Sequence, residues 1–548
     1  MQIVEKDLAA RLAFFDTPHG RIRTPALLPV INPLMPKDLS KFKPQALMTN
    51  SYLTWRKKKE EAEKKGIHKI IGFDGPIMTD SGAFQLMRYG DVEISNEEVI
   101  VFQKTIGSDI ATPLDIPGLG DKDTMEKNLE TTIERAKQCK ELTKGSKSLW
   151  IGPLQGGTFP DLREKSAQAM RALDFDVYAV GTVVPLMNDY RFSEALSALY
   201  HCKKELSLNK PVHFFGAGHP MLFSFAVALG ADLFDSAAYS LFAKRGNYLT
   251  VSGTLDLKAM RELPCSCPVC TGRKPSELNE ELLAEHNLYV SLEEMKRIRE
   301  AIHENTLWEL LEERANAHPL LLKAFKDFKT YNGFIESLDV LSKKRFFVTP
   351  HAKNRPEVFR HEQKKKIKTK KMLSLKPFDQ VPQEIARIYP FGQRVTDKKE
   401  SVPEVDYWEQ ADGISRYMYG VPLPKKIRIE KGKTGRIRRI YKKDTLLASF
   451  RASDGMIIPH ALCKKIHSKK GFRVQVDDDV QEFAEKGKNV FAKFVVHCDP
   501  NIRAGMDVLI VNSKDKLLAS GTAVLSAREM IDFDEGVAVE TRLKASKL

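Results

Sequence analysis

Two aspartates stand out because each ends a short apolar run and begins a polar turn. Asp80 lies in the segment PIMTDSGAFQ, and Asp235 lies in the segment ADLFDSAAYS. A carboxylate at the mouth of a buried strand can attack a sugar carbon or move a proton. Either aspartate alone is also consistent with a strand-terminating turn or a helix N-cap. Together, and with a cysteine cluster following the second, they indicate glycosyl chemistry.

The cysteine cluster consists of Cys265, Cys267 and Cys270 in the segment PCSCPVC. Three thiolates and one imidazole form the closed tetrahedral set of a structural zinc site, which leaves no open position for catalysis. His286 and His303 both follow the cluster and are candidates for the fourth ligand. A redox pair of cysteines is the alternative, and the third cysteine in the same loop argues against it.

Short apolar runs that end in a polar or glycine-rich turn recur along the first part of the chain. The eight runs are PALLPV, ALMTN, PIMTD, DIATPLD, SLWIGPLQGG, VYAVGTVV, PVHFFGAG and DLFDS. The stretches between them have helical spacing and composition. Strands that alternate with helices indicate a parallel sheet, and eight repeats predict an α/β fold of the (β/α)₈ barrel type. An open doubly wound sheet is the alternative, but no good GxGxxG turn follows a strand.

A barrel would give the polar strand ends a common location. In this fold the active site lies at the carboxyl-terminal ends of the strands. Asp80, Asp115, Gln155 and Asp235 each stand at the end of an apolar run. The sequence therefore predicts that these four side chains converge on one catalytic face.

The charge of the chain favours a polyanionic partner. The 548 residues carry a net charge of +15. Residues 364–371 read KKKIKTKK, and residues 425–443 contain ten basic residues and one acid, Glu430. A lysine-rich solvated surface is the alternative, but clustering in the second half favours contact with phosphates. Because there is no signal-peptide core and no run of about 20 apolar residues, we expect a cytoplasmic protein without membrane contact.

A chain of this length exceeds a single core. We predict the catalytic barrel, with a zinc-binding insertion, over residues 1–330. Two small α+β domains are expected over 331–399 and 400–470, the second of them basic. Residues 471–548 alternate short strands with glycine turns and are expected to form a β-rich unit, in which 488–496 (KNVFAKFVV) alternates as a strand does.

The ordered motifs resemble those of archaeal-type tRNA-guanine transglycosylases, the family that starts archaeosine synthesis. TDSGAFQ, LDIP, LQGG and FDS stand here in the family's order, and the cysteine cluster resembles its structural zinc site. The segments VFAKFV, NIRAGMDVLIV, LLASGTAVLS and GVAVETR are similar to a PUA domain. The resemblance covers almost the whole chain. It implies that guanine at position 15, in the D-loop of tRNA, is replaced by 7-cyano-7-deazaguanine (preQ0).

Within this resemblance the two aspartates have different roles. Asp235 corresponds to the nucleophile that forms a covalent aspartyl-ribosyl tRNA intermediate, and two displacements at one carbon retain its configuration. Asp80 corresponds to the general acid that helps guanine leave and the base that deprotonates the incoming base. The residues alone leave the reverse assignment open.

The resemblance also implies a pocket for the base. Asp115 can accept from N1–H and N2–H₂ of a guanine-like edge, and Gln155 can donate to O6. Phe84 and Phe215 can sandwich the ring, although ordinary core positions would also explain them. The remaining polar contacts are expected from Ser81, Gly156 and Gly157.

The segment GTVVPL (181–186) bears on the choice of base. Bacterial relatives have a glycine-rich stretch with a glutamate here, which suits an aminomethyl cation. This chain has Val183 and Val184 instead. An apolar wall accepts a neutral nitrile, whereas an ammonium would lose its partner, so preQ0 is expected. Alternatively, the two valines only fill space at the mouth of the barrel.

The resemblance further identifies His286 as the fourth zinc ligand and implies one structural zinc ion per chain. It implies a homodimer and contacts with the acceptor stem and D-loop of tRNA, with Lys488 and Lys493 available to phosphates. Three other functions are alternatives: a non-catalytic tRNA-binding paralogue, a transglycosylase acting on anticodon guanine, and an unrelated metal-dependent barrel hydrolase. The intact carboxylates argue against the paralogue, and the two valines argue against the enzyme acting on anticodon guanine. The absence of an HxH motif at a strand end argues against the hydrolase.

Overall fold

The computed structural model describes residues 1–83, 94–364, 371–397, 400–544 and 546. The chain divides into two compact units, Met1–Asp327 and Phe328–Leu548. Phe84 and residues 365–370 of the lysine run lie outside the described residues. Within the described ranges, no helix is both long enough and apolar enough to cross a membrane.

The first unit opens with an antiparallel sheet and continues into a closed barrel of parallel strands. The sheet contains β1 (Gln2–Asp7), β2 (Ala10–Thr17) and β3 (Gly20–Thr24). The barrel strands are β4 (Ala26–Ile31), β5 (Leu47–Asn50), β6 (Ile77–Asp80), β7 (Ile110–Ala111), β8 (Leu149–Leu154), β9 (Val177–Val180), β10 (Val212–Phe214) and β11 (Leu233–Ser236). Each overlaps one of the eight apolar runs, so the predicted (β/α)₈ fold is confirmed.

The barrel strands follow one another in chain order, and β11 pairs with β4 to close the ring. Their inward side chains form the core, which includes Met48, Met78, Ile110, Ile151 and Leu233, all at most 3% exposed. Parallel strands buried on both faces have few polar positions except at their ends. The polar residues that follow the strands are therefore brought to one rim.

Helices connect the barrel strands. Their first turns are capped by side chains where the sequence offers them: Asn50 and Asp121 each accept a backbone N–H, and Ser95 forms a capping box with Glu98. In the described part of the chain, the connecting helices are Ser51–Lys65, Ile67–Ile71, Asn96–Thr105, Lys122–Leu142, Pro160–Ala172, Val183–Asn188, Phe192–Lys203 and Phe223–Ala228, and helix Ala238–Lys244 follows the last strand.

The antiparallel sheet contacts segments that immediately precede barrel strands, so it lies at the amino-terminal end of the barrel. Arg11 forms a bidentate ion pair with Asp232, which precedes β11, with both N···O distances at 2.8 Å. The opposite, carboxyl-terminal rim is not covered by this sheet. After β11 come the hairpin β12 (Asn247–Thr250) and β13 (Gly253–Asp256), the cysteine loop, and the helices Glu280–Glu304, Leu307–Ala315 and Pro319–Asp327.

The second unit is built from small sheets. Its strands are β14 (Phe346–Phe347), β15 (Met372–Ser374), β16 (Gln380–Pro382), β17 (Arg394–Val395), β18 (Arg428–Lys431), β19 (Ile437–Lys442), β20 (Thr445–Phe450), β21 (Ile457–Pro459), β22 (Arg473–Val476), β23 (Val490–Phe491), β24 (Val495–Cys498), β25 (Asp507–Val511), β26 (Leu517–Ala523) and β27 (Val537–Lys544). Its helices are Asn332–Leu338, Pro356–Gln363, Tyr407–Tyr419, Cys463–His467, Gln481–Glu485 and Ala527–Asp532.

Two sheets dominate this unit, a four-stranded sheet β18–β21 and a six-stranded sheet β22–β27. The expected strand over 488–496 is interrupted, because a 3-10 turn at Ala492–Phe494 separates β23 from β24. The two short strands pair with different partners, β27 and β22. Simple alternation therefore overestimated the length of this strand.

Candidate active site

Asp80 is the last residue of β6, directly in register with Asn50 at the end of β5. Asn50 Nδ2 donates to Asp80 Oδ2 at 2.9 Å, and the Gly82 backbone N–H donates to Oδ1 at 3.3 Å. Ser51 Oγ donates to the Asp80 carbonyl oxygen at 2.7 Å. The end of the neighbouring strand thus fixes both the backbone and the carboxyl group of Asp80.

The surroundings of Asp80 poise it for proton transfer. Burial, followed by the nearby charges of Asp115 and Asp235, raises the pKa of Asp80 to about 7, against the opposing hydrogen bonds from Gly82 and Asn50. A carboxyl group with this pKa is populated in both protonation states near neutral pH. Asp80 ends β6, Asp115 follows β7 and Asp235 lies near the end of β11, so the three carboxyl groups lie on the same rim of the barrel.

Asp115 and Gln155 are in direct contact, since Gln155 Nε2 donates to Asp115 Oδ2. Gln155 Oε1 in turn accepts from Thr182 Oγ1 at 2.6 Å. Thr182 Oγ1 also accepts the backbone N–H of Gly118, in the loop that carries Asp115. Burial raises the pKa of Asp115, and the Gln155 donor opposes that effect. The chain from Thr182 to Asp115 orients an amide and a carboxylate side by side.

The segment around Gln155 is held by a buried cation. The Arg163 guanidinium is 1% exposed and donates to the carbonyl oxygens of Leu154, Gly157 and Gly181 at 2.8 to 3.0 Å. A Cβ at Gly181 would overlap the Gln155 amide. Glycine at that position therefore leaves the room that the amide of Gln155 occupies.

Asp235 lies near the end of β11 and is 6% exposed. Its Oδ1 accepts the Gly216 backbone N–H at 2.6 Å and faces His213 Nε2 at 2.9 Å. A Cβ on Gly216 would collide with a methyl group of Val184, so Val184 lies against the turn that contacts Asp235. The turn after β10 and the start of helix Val183–Asn188 therefore border the Asp235 carboxylate.

The other residues expected at the site differ in their surroundings. Ser81 is fully buried, and its Oγ has no hydrogen-bond partner among the described residues. Phe215 is partly buried, with its ring centroid 4.8 Å from that of His213. Val183 is fully buried. Gly156 has φ +132°, and a Cβ there would strike the backbone of helix Pro160–Ala172. The placement of Phe84 is not described.

Three residues that the sequence analysis did not name, Asn50, Thr182 and His213, complete this site. Each lies in one of the eight runs, at a polar position of ALMTN, VYAVGTVV or PVHFFGAG. A histidine inside an otherwise apolar strand is itself a signal, because a buried polar group requires a partner. The partner could not be named until the strands were placed side by side.

Cys265, Cys267, Cys270 and His286 come together with their ligand atoms within 4.8 Å of one another. His286 Nδ1 lies 3.2 Å from Cys270 Sγ and 3.6 Å from Cys267 Sγ. Its Nε2 lies 3.0 Å from the Leu249 carbonyl oxygen, which fixes the proton on Nε2 and leaves Nδ1 free to bind a metal. The donor set therefore fits a metal ion with a closed protein shell.

The competing ligand, His303, is bound elsewhere: its Nδ1 lies 2.8 Å from Glu5 Oε2. A second group of potential ligands, His19, His68 and Asp109, lies at the amino-terminal end of the barrel. There the two Asp109 oxygens already face two imidazoles and two backbone N–H groups at 2.7 to 2.9 Å. Asp109 is thus fully hydrogen-bonded and ties the β2–β3 turn to the barrel.

The second unit carries the basic hairpin, residues 425–443, on β18 and β19. All of its lysine and arginine residues are exposed. The single acid, Glu430, is paired with Arg439 at 3.2 Å and accepts from Tyr441 Oη at 3.1 Å. The hairpin therefore presents a positive surface whose one negative charge is locally neutralised.

Comparison with known proteins adds independent information. A family model described as queuine tRNA-ribosyltransferase matches residues 7–320. A PUA domain model matches residues 472–543, and the patch-forming domain C2 of tRNA-guanine transglycosylase matches residues 414–467. The basic hairpin lies within the segment that matches domain C2, residues 414–467.

Full-length relatives were found among curated proteins. The chain is 39% identical to the tRNA-guanine(15) transglycosylase of Methanocaldococcus jannaschii, with 100% of both chains covered. It is 39% identical to the protein of that name from Methanococcus maripaludis, with 99% of each chain covered. For the protein of that name from Pyrococcus furiosus the identity is 40%, with 99% of this chain and 97% of the relative covered.

Proposed function

Because this chain belongs to the tRNA-guanine transglycosylase family, we propose that it exchanges guanine at position 15 of tRNA for preQ0. The family makes it a pentosyltransferase. The observation that carries the mechanism is the grouping of Asp80, Asp115 and Asp235 at one rim of the barrel, with the pKa of Asp80 near neutrality. The proposal includes a cytoplasmic location, where tRNA is found.

In the first displacement, Asp235 Oδ2 attacks C1′ of the nucleotide and the bond from C1′ to guanine breaks. The electron pair of that bond goes to the departing base, which takes a proton from Asp80. The products are guanine and an ester between Asp235 and the ribose. Oδ2 suits this role, since Oδ1 is the oxygen that faces Gly216 and His213.

In the second displacement, the ring nitrogen of the incoming base attacks C1′ and the ester bond to Oδ2 breaks. The electron pair returns to the Asp235 carboxylate, and the proton of the attacking nitrogen passes to Asp80. Configuration at C1′ is retained after two inversions. Asp80 ends in the state in which it began, so one residue serves both half-reactions.

Base recognition is assigned to Asp115 and Gln155, whose amide and carboxylate already lie side by side. Asp115 would accept from N1–H and N2–H₂, and the second N–H of Gln155 would donate to O6. Ser81 Oγ is buried and has no hydrogen-bond partner among the described residues, which supports a further polar contact to a ligand. Phe84 and Phe215, together with the backbone of Gly156, remain proposed contacts of the ring.

The proposed preference for preQ0 rests on Val183 and Val184, at the start of helix Val183–Asn188, as an apolar wall for the incoming base. Both side chains are apolar, and Val184 borders the Gly216 turn beside Asp235. Such a wall accepts a nitrile and gives an ammonium no counter-charge. The test is an exchange assay on guanine-labelled tRNA with guanine, preQ0 and the aminomethyl base, followed by mapping of the modified nucleotide. Efficient use of the aminomethyl base, or modification at another position, would refute the assignment.

The Cys₃His group is proposed to hold one structural zinc ion per chain, with Cys265, Cys267, Cys270 and His286 as its ligands. When bound, the ion cross-links the cysteine loop to helix Glu280–Glu304. The closed ligand set leaves no position for substrate. His286 contributes by keeping Nδ1 towards the thiolates, because Nε2 is engaged by the Leu249 carbonyl oxygen.

Removing this ion should destabilise the protein without changing its chemistry. Cys270→Ser is expected to lower the unfolding temperature and to abolish stoichiometric zinc, because a metal stabilises only the state that binds it. Cys463→Ser, which alters another buried thiol outside the group, is the matched control. Zinc content and thermal unfolding are the measurements. A zinc-free Cys270→Ser protein as stable as the control would contradict a structural role.

The PUA domain and the basic hairpin are proposed to bind tRNA, at the acceptor stem and along the backbone. The matches to PUA and to domain C2 support an RNA-binding role for residues 414–543. Lys488 and Lys493 are exposed and available to phosphates. Because position 15 lies in the folded D-loop, these contacts would help to offset the cost of exposing the base. The proposal also includes a homodimer and the subdivision of the second unit at about residues 400 and 471.

Reversing charge on the hairpin should weaken tRNA binding and reduce its dependence on salt. Lys433→Glu combined with Arg436→Glu is expected to lower affinity by about tenfold or more and the salt slope by about 1 to 2, as fewer counterions are released. Lys57→Glu with Lys64→Glu, on helix Ser51–Lys65, changes the net charge equally and serves as the control. The measurement is the affinity for tRNA between about 50 and 200 mM salt. If both double variants weakened binding equally, the basic hairpin would not be a specific contact surface for tRNA.

A further inference from the structure

His213 contacts the proposed nucleophile but has no assigned role in the two displacements. It lies in β10, is fully buried, and its Nε2 is 2.9 Å from Asp235 Oδ1. The Gly216 backbone N–H donates to the same oxygen at 2.6 Å. Asp235 Oδ2 has no such partner among the described residues. The two oxygens of one carboxylate are therefore in unequal environments.

The surroundings of the imidazole define which ring nitrogen donates to Asp235. His213 Nδ1 is buried and has no hydrogen-bond partner in the described part of the chain. A proton on Nδ1 would be a buried donor without an acceptor, which is costly. A carboxylate can accept a hydrogen bond only from a protonated Nε2. His213 therefore carries a proton on Nε2 and donates it to Asp235 Oδ1.

We propose that His213 is a positioning residue that, with the Gly216 N–H, forms a two-donor cradle for Asp235 Oδ1 and promotes breakdown of the ribosyl ester. This inference rests on the proposed function. The cradle holds Oδ1 and turns Oδ2 towards the sugar. When the ester breaks, the electron pair returns to the carboxylate, and negative charge grows on an oxygen that already faces two donors.

The cradle should act unequally on the two displacements. In the first, the carboxylate loses charge as Oδ2 attacks, so donors to Oδ1 stabilise the reactant more than the transition state. In the second, the carboxylate regains charge, so the same donors stabilise the transition state more than the ester. Loss of the His213 donor should therefore slow release of the ester, whereas formation of the ester should not slow and should become faster where the carboxylate has lost much of its charge in the transition state.

The test compares His213→Gln, whose Nε2 can occupy the position of the imidazole Nε2, with His213→Met, which fills the space without a donor. Single-turnover formation of the covalent tRNA adduct and its breakdown on adding guanine are measured separately. His213→Met is expected to form the adduct at the wild-type rate or faster and to release it about 100-fold more slowly. The adduct then accumulates at steady state. His213→Gln is expected to stay within about tenfold of wild type in both steps.

Thermal unfolding and tRNA affinity establish that each variant is folded. If His213→Met does not fold, His213→Asn replaces it, because its shorter amide cannot reach Oδ1 and should reproduce the slow breakdown. Equal slowing of both steps, or breakdown at the wild-type rate without the donor, would overturn the proposal and leave His213 as a packing residue. If the wild-type protein forms no adduct at all, the proposed function fails instead, so the two failures are distinguishable.

Discussion

Asp235→Asn is expected to abolish base exchange, lowering its rate by about 10⁴-fold or more while tRNA still binds. An amide oxygen is too weak a nucleophile to displace guanine, so no ribosyl ester can form. The asparagine keeps the size of the side chain, and its oxygen can still accept from the Gly216 N–H. The loss should therefore reflect the missing nucleophile rather than a disturbed fold.

The measurement is incorporation of labelled guanine into unmodified tRNA, together with trapping of the covalent adduct on denaturing gels and its location by peptide mapping. Asp189→Asn, at an exposed aspartate after helix Val183–Asn188, is the matched control and should retain full exchange. Adduct found on Asp80, with Asp235→Asn still active, would reverse the two roles that the sequence alone left open.

The barrel was predictable because its strands are buried on both faces. Such strands are continuous apolar runs, and their polar ends are the places where the chain leaves the core. In PIMTD and DIATPLD the strand stops at or before the final carboxylate, and in DLFDS it stops one residue after Asp235. The same reasoning predicts from the sequence that Asp80, Asp115 and Asp235 lie at one rim.

The partners of these residues were not predictable in the same way. Asn50 meets Asp80 because β5 and β6 are in register, and His213 meets Asp235 because β10 and β11 are neighbours. Register and side-chain direction depend on the closed sheet, not on local spacing. The same limit explains why 488–496 looked like one strand, although its two halves pair with different partners.

The choice between His286 and His303 illustrates what spacing leaves open. Both lie on helix Glu280–Glu304, and spacing gave no reason to prefer either one. In the structure His286 is fully buried with Nδ1 facing the cysteines, whereas His303 is exposed and paired with Glu5. Only the packing of that helix against the cysteine loop separates them, and family resemblance supplied the same preference without that geometry.

The two half-reactions should depend on pH in opposite directions, because Asp80 acts as an acid in one and as a base in the other. With the pKa of Asp80 near 7, ester formation should fall as pH rises through 7, since it needs the protonated form. Ester breakdown should rise over the same interval, since it needs the carboxylate. Single-turnover rates of each step between pH 5.5 and 8.5, chosen as about 1.5 units on each side of the pKa, test this directly. Parallel profiles would remove Asp80 from one of the two steps.

Two variants link this behaviour to the structure. Asn50→Ser can keep the N-cap of helix Ser51–Lys65 but loses the donor to Asp80, so it should move both pH profiles upward. Asp80→Asn should slow both steps by about 10² to 10⁴-fold and remove their opposite pH dependence.

A carboxyl group whose pKa is raised on folding costs stability as pH rises from about 4 to 7, because the folded state holds the proton more tightly. Asp80→Asn should therefore gain stability over wild type across that interval in thermal unfolding. The wild-type protein loses stability in this interval because the Asp80 carboxyl group is buried near the charges of Asp115 and Asp235. The same surroundings allow Asp80 to give and take a proton at neutral pH.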